Sequence, residues 1–335
     1  MTAAHLDPAR KHDFVFLIEA VDSNANGDPD NGGLPRTDPV SGHGLITDVA
    51  IKRKIRNTVA LINSLEPREG REIYVEAGTA LNAQHERAYT TGSAHDQRSA
   101  QEWMCRNFFD VRMFGAVMTT GKRDKQAGRV QGPVQIGFSR SIDRITPLDI
   151  GITRVTPTKE EDLKAWLERG ENTDGKNKGK ETEMGSKHVV PYALYRGTGH
   201  FSAPLAKRTG VTTDDLALFW RAFEIMLEHD RAAARANLAL RGLYVFTHDD
   251  AFGCAPAHEL FERITVKARD DVNARSFSDY GTVEIRDTDL PSGVTLTTLA
   301  PRPLRFPRDA EAVARGSDGS HERTCDHGCT QEILT

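Results

Sequence analysis

The sequence predicts an α+β fold whose sheet belongs to the split βαβ class. Three observations predict it. Apolar residues from Phe14 to Ile18 are typical of a buried strand, two segments have helical apolar periodicity, and the elements follow the order strand, helix, strand, strand, helix, strand. Large insertions interrupt this order. The order is compatible with a ferredoxin-like or RNA-recognition-type sheet.

The first strand continues to Val21 and ends in a run rich in Asn, Gly, Asp and Pro over residues 22–44. Loops on the order of twenty residues are uncommon in compact domains, and most are functional or disordered. The run matches four positions of a calcium-binding EF-hand loop, namely Asp22, Asn24, Asn26 and Gly27. Gly33 stands where that motif needs a bidentate Glu, which argues against calcium. Two interpretations stay open: a turn-rich loop, or a loop whose Asn side chains and amides contact phosphate or ribose.

The next segment predicts a helix with an N-cap at Thr47 or Asp48. Its apolar residues share one face: Ile51, Ile55, Val59 and Ile62. Four cations lie within little more than one turn of the same helix: Lys52, Arg53, Lys54 and Arg56. Like charges this close repel each other. From this helix alone, a phosphate-binding face and a solvated face explain them equally well.

Further elements follow from periodicity and turn residues. Helices are predicted over residues 98–109, 162–169 and 213–230. Strands are predicted over residues 111–118, 134–142, 189–197 and 242–247, with a basic turn over 121–129. Residues 170–185 are almost wholly polar, which predicts a mobile insertion, and the chain after Pro301 is expected to be a flexible tail.

Composition excludes several classes of protein. The net charge is -4, so a nucleic-acid site would have to be a local stripe of Lys and Arg. The cysteines suggest no disulfide framework, and the N-terminal residues lack an apolar signal region. The apolar runs are also too short to span a bilayer. We therefore expect a cytoplasmic protein.

Residues 115–122 resemble a phosphate loop but depart from it. Five residues separate the two glycines instead of four, and Arg123 replaces the magnesium-binding Ser or Thr, which excludes a nucleotide triphosphatase. The turn at residues 122–125, with Arg129, is better suited to contacting a nucleic-acid backbone. Cys325, His327 and Cys329 could bind a metal, but their spacing is unusual for structural zinc, and disorder is the better interpretation.

Five segments together resemble one known family. They are residues 14–36, 42–56, 110–115, 132–143 and 185–195, and they include the runs Asn-Ala-Asn-Gly-Asp-Pro-Asp and Asp-Val-Arg-Met-Phe-Gly. They resemble the backbone subunit of type I-C CRISPR Cascade complexes, a crRNA-binding family of the RAMP superfamily. The likeness covers roughly residues 10–270.

The resemblance implies a hand-shaped protein whose palm is an RNA-recognition-type sheet over residues 10–152 and 188–300. A finger insertion would occupy about residues 63–98, a thumb-like insertion residues 153–187, and a flexible tail residues 301–335. Several copies would stack along one guide RNA (crRNA), with the thumb of each copy over the RNA of its neighbour. Target DNA, through guide pairing, and the handle-binding, large and small Cascade subunits are the other implied partners.

The expected function is non-catalytic binding of the guide along its sugar–phosphate backbone, with no cofactor and no metal. The loop, the basic helix, the basic turn, the strand over residues 134–142 and the implied thumb base supply the expected RNA-binding residues: Asn24, Asn26, Lys52, Arg53, Arg56, Arg123, Arg140, Met184, Lys187 and His188. The alternative is a metal-dependent ribonuclease subunit. Since no hydrolase motif is present, such an enzyme would have to use a loop aspartate, Asp28 or Asp30.

Overall fold

The structure is a computed structural model, and it describes residues 3–167, 182–267, 274–280 and 282–301. Most of the polar insertion predicted over residues 170–185 lies outside the described residues, as does the tail after Pro301 with Cys325, His327 and Cys329. Within the described ranges, no helix is both long enough and apolar enough to cross a membrane.

The described ranges contain twelve strands and eight α-helices. The strands are β1 (His12–Ser23), β2 (His43–Ile46), β3 (Gly115–Met118), β4 (Gly128–Gln131), β5 (Val134–Ile136), β6 (Ser139–Arg144), β7 (Leu148–Arg154), β8 (Glu183–Phe201), β9 (Leu238–His248), β10 (Ile264–Thr265), β11 (Glu284–Ile285) and β12 (Val294–Ala300). The helices are α1 (Asp48–Leu65), α2 (Leu81–Thr90), α3 (Gln97–Asn107), α4 (Phe109–Phe114), α5 (Glu160–Leu167), α6 (Ala203–Thr209), α7 (Thr213–His229) and α8 (Ala257–Phe261).

The main sheet has the strand order β12-β9-β1-β8-β6-β2, and β5 and β7 also pair with β8. All of these pairings are antiparallel. The long strand β8 therefore borders β1 on one side and β5, β6 and β7 on the other. An antiparallel sheet combined with α-helices confirms the α+β prediction in its coarse form.

Strand β1 lies at the centre of the sheet and is buried on both faces. Phe14, Phe16 and Ile18 belong to one apolar cluster with residues of α1 and α7, whereas Val15 and Leu17 belong to a second cluster with α8. A strand covered on both faces has a continuous apolar run instead of an alternating one. The buried strand predicted from Phe14 onwards is therefore confirmed.

Two glycines of β8 leave space for the aromatic rings of β1. Gly199 pairs with Phe14, and Gly197 pairs with Phe16. A Cβ atom at either glycine would lie 2.2 Å from the Cζ atom of the facing ring, which is far inside van der Waals contact. The rings instead meet Phe223 of α7, at centroid distances of 5.9 Å from Phe14 and 5.0 Å from Phe16.

Helix α1 begins at the predicted N-cap. The Thr47 hydroxyl accepts a hydrogen bond from the amide of Ala50 at 3.2 Å. The loop residue Asn26 supports this cap, because its Oδ1 accepts from both the amide and the hydroxyl of Thr47 at 3.0 Å. The predicted apolar face is confirmed, since three of its residues are fully buried: Ile51, Ile55 and Val59.

The prediction of a strand over residues 111–118 was wrong for its first half. Only Gly115–Met118 forms a strand, and the residues before it belong to α4. This helical turn directs Asp110 to Arg56 of α1 and Arg112 to Asp215 of α7. Strand propensity is weak and depends on context, so two buried ion pairs can outweigh it.

The strand predicted over residues 134–142 is divided into β5 and β6. The division lies at Gly137 and Phe138, and it shifts the alternation of buried and exposed residues by one position. Ser139 and Ser141 become buried, while Phe138 is 57% exposed. A shift of one residue exchanges the two faces of a strand. The aromatic ring that simple alternation places in the core therefore lies at the surface.

Candidate nucleic-acid interface

The four cations of α1 do not all face solvent. Lys54 contacts Asp230, and Nε of Arg56 lies 2.8 Å from Oδ2 of Asp110. Both cations are buried. Burial lowers the pKa of the Lys54 amine, and the contact with Asp230 opposes that effect. These two side chains join α1 to the protein interior, and RNA binding by Arg56 stays a prediction.

Asp110 is the centre of a wider network. Its Oδ1 accepts a hydrogen bond from the amide of Tyr74 at 2.7 Å, and its Oδ2 accepts one from the amide of Val75 at 3.1 Å as well as from Arg56. The segment between α1 and α2 is thereby fixed to α1 and α4. The Asp-Val-Arg-Met-Phe-Gly run is thus a structural junction in this chain.

Lys52 and Arg53 lie closer to the surface than Lys54 and Arg56. Nζ of Lys52 lies 3.4 Å from a carboxylate oxygen of Asp48 and 3.4 Å from the amide oxygen of Gln135. Arg53 donates from Nη1 to the carbonyl of Val75 at 2.6 Å. A lysine has three donor hydrogens and an arginine five, so both side chains keep donors beyond these contacts.

Arg53 also lines a depression of about 350 Å³ beside the Asn-rich loop. Asn24 and Asn26 lie in the same wall. Asn24 donates from Nδ2 to the carbonyl of Gly33 at 2.8 Å, while its buried Oδ1 has no hydrogen-bond partner among the described residues. Three predicted site residues are therefore brought together here, and both Asn side chains also hold the loop in place.

The loop aspartate proposed for the alternative enzyme is engaged within the loop. Oδ1 of Asp28 lies 3.2 Å from Nη1 of Arg36, and the carboxylate also accepts from the amide of Asp30. No group of three or more His, Cys, Asp or Glu side chains that could hold a metal ion occurs in the part of the chain that the structure describes.

Arg140 and Arg123 belong to other elements than α1, and neither lines the depression beside it. Arg140 of β6 is 57% exposed, and its Nη1 lies 2.6 Å from Oδ2 of Asp38. This guanidinium, together with the amides of Val40 and Ser41, holds the pKa of Asp38 well below its usual range. Arg123 is exposed in the short turn between β3 and β4.

Met184, Lys187 and His188 lie where β8 pairs with β7. Their cross-strand partners are Thr153, Ile150 and Asp149, in that order. Alternation puts Met184 and His188 on one face of this two-stranded ribbon and Lys187 on the other. Met184 is 82% exposed, and Nδ1 of His188 lies 3.2 Å from the Asp149 carboxylate. The three residues therefore cannot all meet one ligand segment from the same side.

Sequence reasoning missed one concentration of charge almost completely. Arginines from five separate segments line a cleft of 730 Å³ beyond the C-terminal end of α1. Only Arg129 was singled out from the sequence. The other cations are spread from Arg68 to Arg208 and form no local run, so no sequence pattern could have grouped them.

Comparison with known proteins gives the chain a family. The sequence model of the family described as CRISPR-associated protein Cas7 matches residues 10–286. A protein of that description from Haloferax volcanii is 26% identical over 156 residues, covering 40% of this chain and 44% of its own length. The chain thus spans less than half of this curated relative.

Two solved structures also resemble the chain. One, described as a CRISPR RNA-guided surveillance complex, pre-nicking, covers 70% of this chain and 75% of its own, with a TM-score of 0.43 and 17% identity. The other, described as a CRISPR RNA-guided surveillance complex, covers 78% of each chain, with a TM-score of 0.38 and 18% identity. Because the family model spans the sheet from β1 to β9 with its insertions, this chain belongs to the CRISPR-associated protein Cas7 family.

Proposed function

We propose that this Cas7-family chain is a non-catalytic, cytoplasmic backbone subunit of a type I-C CRISPR surveillance complex. Several copies would hold one crRNA along its sugar–phosphate backbone and support its pairing with target DNA. Handle-binding, large and small subunits would complete the assembly. The family match over residues 10–286 supports the role of backbone subunit, because it extends over almost the whole described sheet. The type I-C assignment rests on the five sequence segments that resemble that subunit.

The strand order supports an RNA-recognition-type palm. Strands β9, β1, β8 and β6 are neighbours in that order, with α1 after β1 and α7 before β9. A split βαβ unit has this arrangement. In the proposed assignment, the finger is about residues 63–98, which include α2, and the thumb is residues 153–187, which include α5 and the start of β8.

A guide RNA changes sequence with every spacer, so its carrier must contact phosphate and ribose instead of base edges. Lys52, Arg53, Arg123 and Arg140 are the proposed phosphate contacts. Asn24 and Asn26 line the same depression as Arg53 and would add contacts there. Arg56 would act indirectly: its ion pair with Asp110 holds the helix that presents Lys52 and Arg53.

The proposal is tested by purifying the full chain and measuring the RNA bound to it. We expect RNA of one discrete length. The double variant Lys52→Glu/Arg53→Glu should bind RNA of every sequence more weakly. Loss of two phosphate contacts should also flatten the slope of log affinity against log salt by about 1.4, since each contact to a single strand contributes about 0.7.

The matched control is Lys267→Glu/Arg275→Glu. Both residues are exposed, and the residues next to them, Val266 and Ala274, pack in the α8 cluster on the face of the sheet away from α1. The charge change is identical, so a general effect of net charge would weaken both variants equally. Unchanged affinity and slope in the α1 variant would remove Lys52 and Arg53 from the proposed interface.

The non-catalytic part of the proposal has its own test. The loaded protein is incubated with guide-paired RNA and a divalent metal. We expect intact RNA, because Asp28 is engaged with Arg36. Cuts at regular intervals that disappear in Asp28→Ala would overturn this part and establish a ribonuclease subunit.

A further inference from the structure

The cleft beyond α1 is a positively charged feature of the described chain that the proposed function does not use. It lies between α3, β4 and the α6–α7 connection, and its volume is 730 Å³. Eight cationic and four acidic residues line it, whereas the whole chain has a net charge of -4. We refer to it as the arginine cleft.

Most of its cations lack an acidic partner. Arg112 is paired with Asp215, and Arg98 with Glu102. Six cations in the cleft form no ion pair within the described chain: Arg68, Arg71, Arg106, Arg129, Lys207 and Arg208. Burial, and after it the neighbouring Arg68, lowers the pKa of Arg71. The lining therefore has more cationic than acidic residues, and most of its cations are left without an ion pair.

The chemistry of the lining limits the possible ligand. Small-molecule sites are mostly lined by apolar and aromatic side chains. The arginine cleft contains no Phe, Tyr or Trp, so it offers neither an apolar pocket nor a platform on which bases could stack. Five of its six unpaired cations are arginines, whose planar forks bind phosphate oxygens in pairs. Phosphates of a polymer match this lining best.

The cleft is separate from the interface proposed for the guide. Helix α1 has 18 residues, and at 1.5 Å per residue it is about 27 Å long. Lys52 lies in its first two turns, whereas Arg68 and Arg71 follow its last turn. A phosphate bound beside Lys52 therefore cannot also occupy the cleft.

We propose that the arginine cleft binds the phosphate backbone of a second nucleic-acid segment without reading its bases. The choice of nucleic acid rests on the proposed function, which brings crRNA and target DNA into the assembly. A single DNA strand, a DNA duplex and an RNA strand share the required chemistry, and the test separates them.

The test uses the full chain as purified, with the RNA bound to it. The cleft variant is Arg106→Glu/Arg208→Glu, in which both residues are exposed and unpaired in the described structure. A milder variant, Arg106→Gln/Arg208→Gln, serves if charge reversal impairs folding. Lys267→Glu/Arg275→Glu is again the matched control. Affinities are measured for labelled single-stranded DNA, duplex DNA and RNA, none complementary to the guide, over a range of salt concentrations.

We expect the cleft variant to lose about tenfold in affinity for at least one of the three probes. Its salt slope for that probe should flatten by about 1.4 for a single strand or about 1.8 for a duplex. The amount and length of the RNA bound on purification should match those of the parent and the control.

Parent-like affinities and slopes for all three probes in the cleft variant would overturn the proposal. If the cleft variant kept those affinities but self-associated more weakly, the cleft would instead bind an acidic surface of a second copy. A parent chain that carries no RNA, but whose probe binding depends on Arg106 and Arg208, would refute the proposed function and leave the cleft assignment standing.

Discussion

Helix α1 and the arginine cleft both concentrate positive charge, but they differ in how many of their cations are buried and paired. On α1, Lys54 and Arg56 are buried against acidic partners. In the cleft, six cations have no ion pair in the described structure. Part of the dense basic run on α1 is therefore used in buried ion pairs, whereas the cations without ion pairs in the cleft come from dispersed positions in the sequence. Local charge density does not reveal which cations are available to a ligand.

The difference has a simple physical origin. A buried cation needs a compensating charge because desolvation is costly. Such charges come from distant positions: Asp230 lies 176 residues after Lys54, and Asp110 lies 54 residues after Arg56. An exposed cation needs no partner, so the cleft can keep its positive charge for an external anion.

The largest expected effect comes from breaking a buried pair. Arg112 donates to both carboxylate oxygens of Asp215, at 3.0 and 2.5 Å, and also to the carbonyl of Gly70 at 2.8 Å. Arg112→Met should lower the free energy of unfolding by about 3–5 kcal/mol, since it leaves a buried carboxylate uncompensated. Chemical denaturation measures the change.

The control for that variant is Arg98→Met. Arg98 is paired with Glu102 in the same cleft, but its side chain is 86% exposed. Exposed pairs contribute about 0–1 kcal/mol. Equal losses in the two variants would contradict the distinction between buried and exposed cations.

Protonation of His12 would create a buried cation without an acidic hydrogen-bond partner. Its ring nitrogens contact the Thr247 hydroxyl and the carbonyl of Asp7, each at 3.0 Å. Burial lowers the pKa of His12 from 6.5 to about 4. Between these values the unfolded chain binds more protons than the folded chain, so stability must fall as pH falls through this window.

Lowering the His12 pKa by this amount corresponds to a loss of roughly 3 kcal/mol in the free energy of unfolding between pH 7 and a pH below 4. Denaturation at a series of pH values measures it. His12→Gln has no titrating group at this position, so its stability should depend less steeply on pH between 6.5 and 4. Parallel pH profiles of parent and variant would exclude His12 as the source.

A direct comparison of the two regions uses Lys54→Met and Arg106→Met. Lys54→Met should lower the free energy of unfolding by about 1–3 kcal/mol, because Asp230 loses its closest partner but keeps Arg235 at 3.5 Å. Arg106→Met should change stability by no more than about 0.5 kcal/mol in either direction. A larger cost for Arg106→Met would mean that Arg106 has a stabilising role in the isolated chain.

The smallest effect concerns Arg140, which is exposed but paired with Asp38. Asp38→Asn should release the guanidinium and raise RNA affinity modestly, about two- to fivefold, which is the scale of an exposed ion pair. The melting temperature should change little. Titration with labelled RNA measures the gain in affinity. In an Arg140→Gln background, Asp38→Asn should no longer raise the RNA affinity.

Much of the fold could be predicted because its patterns are local. The apolar run of β1, the 3.6-residue periodicity of α1 and the helix predicted over residues 213–230 each follow from nearby residues, and β1, the apolar face of α1 and most of α7 are buried. The predictions failed where distant contacts decide the local structure. Residues 109–114 are helical where Asp110 and Arg112 form ion pairs with distant residues, and Phe138 is exposed after the break at Gly137.

The candidate site was less predictable than the fold. Asn24, Asn26 and Arg53 do line one depression. The sequence already suggested this, because the two asparagines follow the end of β1 and Arg53 lies near the start of α1. Arg140, Arg123 and the ribbon residues lie elsewhere. The arginine cleft could not be predicted, because its cations come from segments that become neighbours only on folding.

The sequence by itself determined the apolar faces of β1, α1 and α7, the Thr47 cap and the motifs of the Cas7 family. Only the tertiary structure decided which cations are paired, which face of β6 is exposed and where unpaired arginines gather. Apolar periodicity is a property of neighbouring residues. Ion pairing instead requires two charged groups to lie within about 4 Å, and the buried pairs of Lys54, Arg56 and Arg112 join positions far apart in the sequence.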